Sequence, residues 1–473
     1  MTSPSSDHRK LNIRERGPLN PGRASVKAFY QILANTIVAN VTNMTVWFAL
    51  VFFVYLETHS VTATAVVSGI YLVVVAVSGI WFGSLVDHYK KKQVMILSGL
   101  VSLVIYSIGF VIYLSLPAQT WKDPTSPVLW IFIPLLLLGV IAGNLRSIAI
   151  PTLVTILIPE DSRDKANGLT GTATGIAFLI CSAVSGLLVG MSGMYLVLLL
   201  AMVMMTLSIL HLLTVNIPEK EVVHTEQQRA RVDLRGTYAV VAAVPGLIAL
   251  ILFTTFNNFL GGVFMGLMDA YGLSLVSVET WGVLWAFLSC GFIIGGLLIA
   301  RFGLGRNPLF AMFAANICIW IIASLFTIQS SIALLSVGMF IYISVVPFIE
   351  ASEQTILQRV VPLERQGRVF GAAHSIEMAA SPVTTFFIGP MTELFFIPFM
   401  TVGAGVELIG GWFGTGADRG IALVFTLTGI IGLIMTLIAM NSKYYRLLSD
   451  RYLQGEAEAA SEEGVPEQEG VTA

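Results

Sequence analysis

The stretch Gly83-Ser84-Leu85-Val86-Asp87-His88-Tyr89-Lys90-Lys91-Lys92 lies between two apolar segments, Val61–Val86 and Val94–Leu116. Each flanking segment exceeds the roughly 20 apolar residues that a helix needs to cross a bilayer. A tight loop with one acid and three lysines is thus wedged between membrane-length helices. Glycine at position 83 lets two helices pack closely. A carboxylate at position 87 can face the positive end of a helix. The lysines hold the loop on the cytoplasmic side. An ordinary basic loop would account for the lysines but not for Gly83 and Asp87 at this spacing.

The rest of the chain supports a membrane setting. It is 56% hydrophobic and 11% charged, against about 25% charged in a soluble protein. The bilayer must act as solvent for that much apolar surface. A formal net charge of −2 argues against a nucleic-acid partner. Cys181, Cys290 and Cys318 all sit in apolar runs, so no disulfide framework is implied. The first 28 residues are polar and basic and do not read as a secretory signal. No Gly-x-x-x-x-Gly-Lys-Ser/Thr loop is present, which excludes an ATPase motor of that type. The six histidines are scattered without metal-ligand spacing. A membrane enzyme would need an acid–base or metal constellation, and none is visible. No cofactor is expected.

Apolar runs predict twelve spans, approximately 29–55, 61–86, 94–116, 128–158, 166–190, 193–215, 245–268, 280–300, 308–328, 332–357, 369–396 and 421–440. The organisation expected is a basic tail (1–28), a six-helix half (29–216), a polar linker (217–244), a second six-helix half (245–440) and a Glu-rich tail expected to be disordered (441–473). With both termini inside, 23 of the 26 lysines and arginines are cytoplasmic, Lys122 and Arg419 are outside, and Arg146 falls within span 4. That bias fixes orientation. The loop 398–418, with Trp412-Phe413, reads as a surface-lying interfacial segment.

Three features suggest repeats. After span 4 the chain reads Pro159-Glu160-Asp161-Ser162-Arg163, and after span 10 Pro362-Leu363-Glu364-Arg365-Gln366-Gly367-Arg368. Each is a short charged loop opening a Gly-containing helix. After span 8, Gly296-Leu297-Leu298-Ile299-Ala300-Arg301-Phe302-Gly303 is a weakened copy of the opening stretch that lacks its aspartate.

Ionisable residues inside spans are functional candidates. Glu350 and Glu353 lie three apart on one face of span 10, and His374 and Glu377 likewise on span 11. Arg146 and Glu350 lie at similar depth, about 18–20 Å from the loop prolines at 1.5 Å per residue. Asn35, Asn40 and Asn43 on span 1, Asn144 on span 4, and Asn257 and Asn258 on span 7 add polarity. For any single Asn the alternative is a hydrogen bond to a neighbouring helix. For the charged groups it is a structural ion pair, with Arg146 joined to one glutamate. Two acids so close do not ionise together easily, so Glu350, Glu353, Glu377 and His374 are proton-coupling candidates. Small residues at four-residue spacing, Gly186 and Gly190 in span 5 and Gly291 and Gly295 in span 8, allow close crossings.

Gly-x-Leu-x-Asp followed by a basic cluster after the second of twelve spans resembles the loop signature of the major facilitator superfamily. Lys90 stands where that family usually has glycine, and His88 where it has arginine. The loops after spans 4 and 10 resemble the branch of macrolide and other drug exporters. That branch's span 5 signature is only partly kept, as Cys181-Ser182 and Ser185-Gly186. The resemblance implies an all-α membrane protein of two pseudo-symmetric six-helix halves, with spans 1, 4, 7 and 10 lining a central cavity and spans 5 and 8 meeting between the halves. It makes Gly83, Asp87 and Lys91 a conformational gate, with Asp87 near the start of span 11. Asn35, Asn40, Asn43, Asn144, Arg146, Asn257 and Asn258 become substrate-cavity candidates. The implied activity is proton-coupled efflux of amphiphilic small molecules by a monomer in a bacterial plasma membrane, with the lipid bilayer, the substrate and protons as partners. A carrier without proton coupling and a non-transporting receptor are the alternatives.

Overall fold

The computed structural model describes residues 23–58, 61–123, 125–218 and 234–463. Twelve helices are long and apolar enough to cross a membrane, and no strand occurs among the described residues. The all-α, twelve-span expectation holds. Span 1 is Arg23–Thr58, span 2 Val61–His88, span 3 Lys91–Ser115, span 5 Arg163–Ser192 and span 6 Met194–Thr214. Span 7 is Leu247–Leu275, span 8 Val278–Phe302, span 9 Pro308–Leu325, span 10 Ile332–Val360, span 11 Gln366–Met391 and span 12 Ala417–Met440. Span 4 is two helices, Pro127–Ala142 and Asn144–Leu157, that meet at Gly143. The amide of Asn43 occupies the place a side chain at Gly143 would need, so only glycine fits that junction.

One apolar core fills the N-terminal half and extends beneath Leu309, Leu357 and Leu448, while a second surrounds Trp320, Phe326 and Phe425 in the C-terminal half. The outward faces carry large exposed apolar residues such as Val77, Val283 and Phe386, as helices in contact with lipid must.

The loops after spans 4 and 10 fold alike. Pro159 and Pro362 are extended, and each precedes a 3-10 turn, Glu160–Ser162 and Leu363–Arg365, that feeds the next span. Both loops lie at the end of the bundle that holds the loop after span 2 and the C-terminal helix. We call this the basic end.

One expectation needs correction. The segment after span 12 is not wholly disordered, because Lys443–Glu463 is a helix. Alanine and glutamate are strong helix formers, and Leu448 and Tyr452 anchor its buried side. Tyr452 receives the Arg359 guanidinium 4.5 Å from its ring centroid. Residues 464–473, residues 1–22 of the basic tail and 219–233 of the linker fall outside the described residues; Leu234–Ala243 of the linker is helical. Arg419 lies at the opposite end, as expected, but not at the surface. It is buried, donating to the carbonyls of Phe413, Thr327 and Ile328 at 2.7–2.9 Å. It thereby pins the segment of short helices 397–413, whose Val402, Leu408 and Trp412 are exposed.

Candidate functional site: the closed crossing and the acidic cluster

The two halves meet along two crossings, span 2 with span 11 and span 5 with span 8. In the first, a side chain at Gly83 would strike the backbone of Gly367 and Arg368, and one at Gly371 the backbone of Gly79 and Gly83. Asp87 completes the contact. It accepts the Gly367 N–H at 2.7 Å and the Arg368 N–H at 2.9 Å, the first free donors of span 11. A carboxylate therefore sits on the positive end of a helix, as expected, with the Arg368 side chain at 3.5 Å and the charge of Lys91 nearby. His88 meets the Ser84 carbonyl through Nδ1 at 2.7 Å and Arg368 through Nε2 at 3.2 Å. A neutral ring donating from Nδ1 and accepting at Nε2 satisfies both contacts. His88 thus takes part in the contact through hydrogen bonds to neighbours on both halves.

The second crossing corrects the expected glycines. Gly291 and Gly295 pack span 8 on Ser344 and Pro347 of span 10, within the same half. Gly190 has nothing within 4 Å of a would-be side chain, and Gly186 only Phe52 at 3.9 Å. The inter-half contact lies nearer the basic end. Gly168 meets Ile299 and Ala300, Gly296 meets Gly168 and Thr172, and Gly175 meets Phe292 and Ile293. The four-residue spacing was legible, but spacing alone does not say which turns of the helix touch. Continuing the same register would set Gly186 opposite Gly282, which also faces open space. The helices have parted by then. Gly69 of span 2 and Gly389 of span 11, far from the basic end, are open too.

Further contacts lock the basic end. Asn167 of span 5 donates to Thr355 and Gln358 of span 10 at 2.8 and 3.0 Å, and Gln358 donates to the Pro151 carbonyl at 3.0 Å. Glu160 and Arg359 pair at 2.7 Å. Asp164 accepts the Leu304 N–H at 2.7 Å beside Gly303. This last bond supplies what the second copy of the signature lacks. The carboxylate comes from the partner helix instead of the loop, and it escaped the sequence reading because it stands in the other half. The bundle is closed at the basic end and cleft at the other.

The acidic candidates do converge. The carboxyls of Glu353 and Glu377 hydrogen-bond each other, and Thr254 of span 7 donates to Glu377 at 2.9 Å and also reaches Glu353. Glu353 is buried, whereas Glu350 is exposed and near enough to sense the charge of Glu377. His374 is partly buried one turn before Glu377. Nothing in the sequence sets Thr254 apart; the tertiary fold alone makes it the bridge.

The polar groups of the N-terminal half behave otherwise. Arg146 is 1% exposed and donates to Asn35 and, at 3.5 Å, to the Met95 carbonyl. Asn35 also bonds Ser208 and His211 of span 6. Asn43 accepts the Tyr106 hydroxyl at 2.6 Å. Asn35, Asn43 and Arg146 therefore lie inside their half and do not line the cleft, and Arg146 is in no ion pair with a glutamate among the described residues. A buried guanidinium has five donors to satisfy, and it draws the polar side of span 1 inward. Asn40, Asn144 and Asn257 are only partly buried. Asn144 meets the Tyr71 hydroxyl of span 2, and both amide atoms of Asn257 are enclosed without a hydrogen-bond partner. Asn258 bonds back to Thr254 on its own helix.

This architecture matches known proteins. The Major Facilitator Superfamily model covers residues 32–385. Macrolide efflux protein A of Streptococcus pyogenes is 23% identical over 377 residues, covering 75% of this chain and 87% of that protein. Its namesake from Enterococcus faecalis is 24% identical over 330 residues, covering 65% and 94%. Among solved structures, a bacterial homologue of the iron transporter ferroportin in an outward-facing state superposes with a TM-score of 0.64 at 14% identity, covering 88% of this chain and all of that one. The human organic anion transporter MFSD10 gives 0.62 at 12% identity, covering 86% and 99%. The twelve-span bundle, its two glycine crossings and the family match agree: this chain belongs to the major facilitator superfamily of membrane transporters.

Proposed function

We propose that the protein exports amphiphilic small molecules in exchange for protons, by alternating access, with macrolides as the first substrates to test. The hydrogen-bonded Glu353–Glu377 pair beside the exposed Glu350 carries this reading. Two carboxyls in contact hold one proton between them, because both charges cannot share a low-dielectric site. Glu350 is the water-facing end of that cluster and Thr254 its fixed hydrogen-bond bridge. By the positive-inside bias the basic end is cytoplasmic, so the conformation described is outward-open. Protons enter from outside, the loaded carrier turns, and cytoplasmic substrate replaces them.

Glu353→Gln and Glu377→Gln in proteoliposomes test this. A labelled macrolide should lose uphill, pH-gradient-driven transport by at least tenfold, while downhill exchange persists. Wild-type gradient-driven transport in both variants across pH 6 to 8 would remove proton coupling from this site.

A further inference from the structure

Asp269 lies on the last turns of span 7, at the open end of the bundle. Its Oδ1 accepts the indole N–H of Trp281 at 2.9 Å and of Trp285 at 3.1 Å, both from the first turns of span 8. The two rings stand edge to face, 6.0 Å apart. Trp281 is buried because Gly272 leaves room for its six-membered ring, whereas Trp285 is only half-buried and Asp269 is exposed. Both indole bonds use one oxygen, which fixes the carboxylate and leaves Oδ2 unused by either. Gly282, between the two tryptophans in sequence, faces the open space where spans 5 and 8 have parted.

Among the described residues no lysine or arginine pairs with Asp269. Of the two lysines and arginines at this end, Arg419 is engaged by backbone carbonyls, and Lys122 belongs to the opposite half. Glu57, Glu393, Glu407 and Asp418 share the end, so its field attracts cations. A carboxylate held rigidly against a half-exposed indole offers both elements of organic-cation recognition. These are a counter-charge and an electron-rich ring face within reach of the same ligand. An inorganic cation would have no use for the ring, and a neutral ligand none for the carboxylate.

We infer that Asp269, Trp281 and Trp285 form a recognition site at the mouth of the cleft for lipophilic organic cations, such as protonated amines on an apolar body. This deepens the efflux reading and rests on it, naming the charge class of the cargo and its point of release. Asp269 supplies the charge, Trp285 the contact face, and Trp281 holds the carboxylate in place.

Equilibrium binding in nanodiscs without a proton gradient tests the site apart from coupling. The probes are tetraphenylphosphonium and its neutral relative triphenylphosphine oxide, with the wild type, Asp269→Asn, Asp269→Glu and Trp285→Ala. The expected result is a tenfold or greater weakening of the cation in Asp269→Asn, recovery towards wild type in Asp269→Glu, a several-fold weakening of the cation in Trp285→Ala, and no change for the neutral compound in the Asp269 variants. Equal cation binding by wild type and Asp269→Asn would overturn the proposal. So would a parallel loss of both probes, which marks a structural role, or a wild type that does not bind the cation. Because Glu353 and Glu377 are intact throughout, none of these results depends on whether transport is proton-coupled.

Discussion

At one depth in the membrane the two halves made opposite choices. The N-terminal half carries Arg146, 1% exposed and satisfied by Asn35 and a backbone carbonyl. The C-terminal half carries Glu350 at the corresponding distance from its loop, exposed and backed by the Glu353–Glu377 pair. Removing a buried charge from water costs several kcal/mol unless it is fully hydrogen-bonded. The N-terminal half therefore spends its polar residues on solvating one cation and becomes a rigid unit. The C-terminal half leaves its acids grouped, with Glu350 exposed beside the Glu353–Glu377 pair. Similar architecture thus separates a half that consumes its polar groups internally from a half that leaves a group of acids together.

Truncation at the two matched positions tests that contrast most severely. Arg146→Ala orphans partners on spans 1 and 3, at about 1–3 kcal/mol for each unsatisfied buried group, and thermal unfolding in detergent should show a clear drop in midpoint. Glu350→Ala should stay within about 0.5 kcal/mol of wild type in the same assay, as an exposed residue does. Equal midpoints for the two variants would mean that the halves do not differ in this way.

A smaller effect is expected at the crossings, where the halves are alike. Gly83→Val and Gly296→Val both force apart backbones that touch, an overpacking cost of about 1–3 kcal/mol that falls on the state closed at the basic end. Both should lose most transport activity at normal expression. Gly190→Val, in open space, should transport within about twofold of wild type. If Gly190→Val is the inactive variant, the helices meet along the turns expected from spacing and not along Gly168, Gly175 and Gly296.

The smallest difference separates the two loop acids. Asp87 takes two backbone N–H groups and an arginine, whereas Asp164 takes one N–H from the opposite half. Hydrogen bonds to a charged group contribute about 1.5–3 kcal/mol. Asp87→Asn should therefore slow transport more than Asp164→Asn, and initial efflux rates measured side by side will rank them. The reverse order would make the span 5–8 crossing the dominant gate.

Much of this was legible without coordinates because the membrane enforces it. Twelve apolar stretches, a basic end and a Gly-x-Leu-x-Asp loop follow from bilayer thickness and charge placement, and both are written along the chain. The grouping of Glu350, Glu353 and Glu377 was half legible, since helical spacing put the pairs on shared faces but did not join span 10 to span 11. Asp164, Thr254 and the Asp269–tryptophan cluster were not singled out, because their partners are remote in sequence or on another helix. Nor could periodicity show that Asn35, Asn43 and Arg146 turn inward. A polar stripe says that a helix has a polar side, and its direction depends on which neighbour offers the donors and acceptors. Span count, the basic end and the family are written along the chain. Where the crossings touch, which polar groups are consumed in holding a half together, and which stay outside those networks follow from the folded arrangement. Those outcomes depend on helix rotation and tilt, which are set by side-chain packing between segments far apart in the chain.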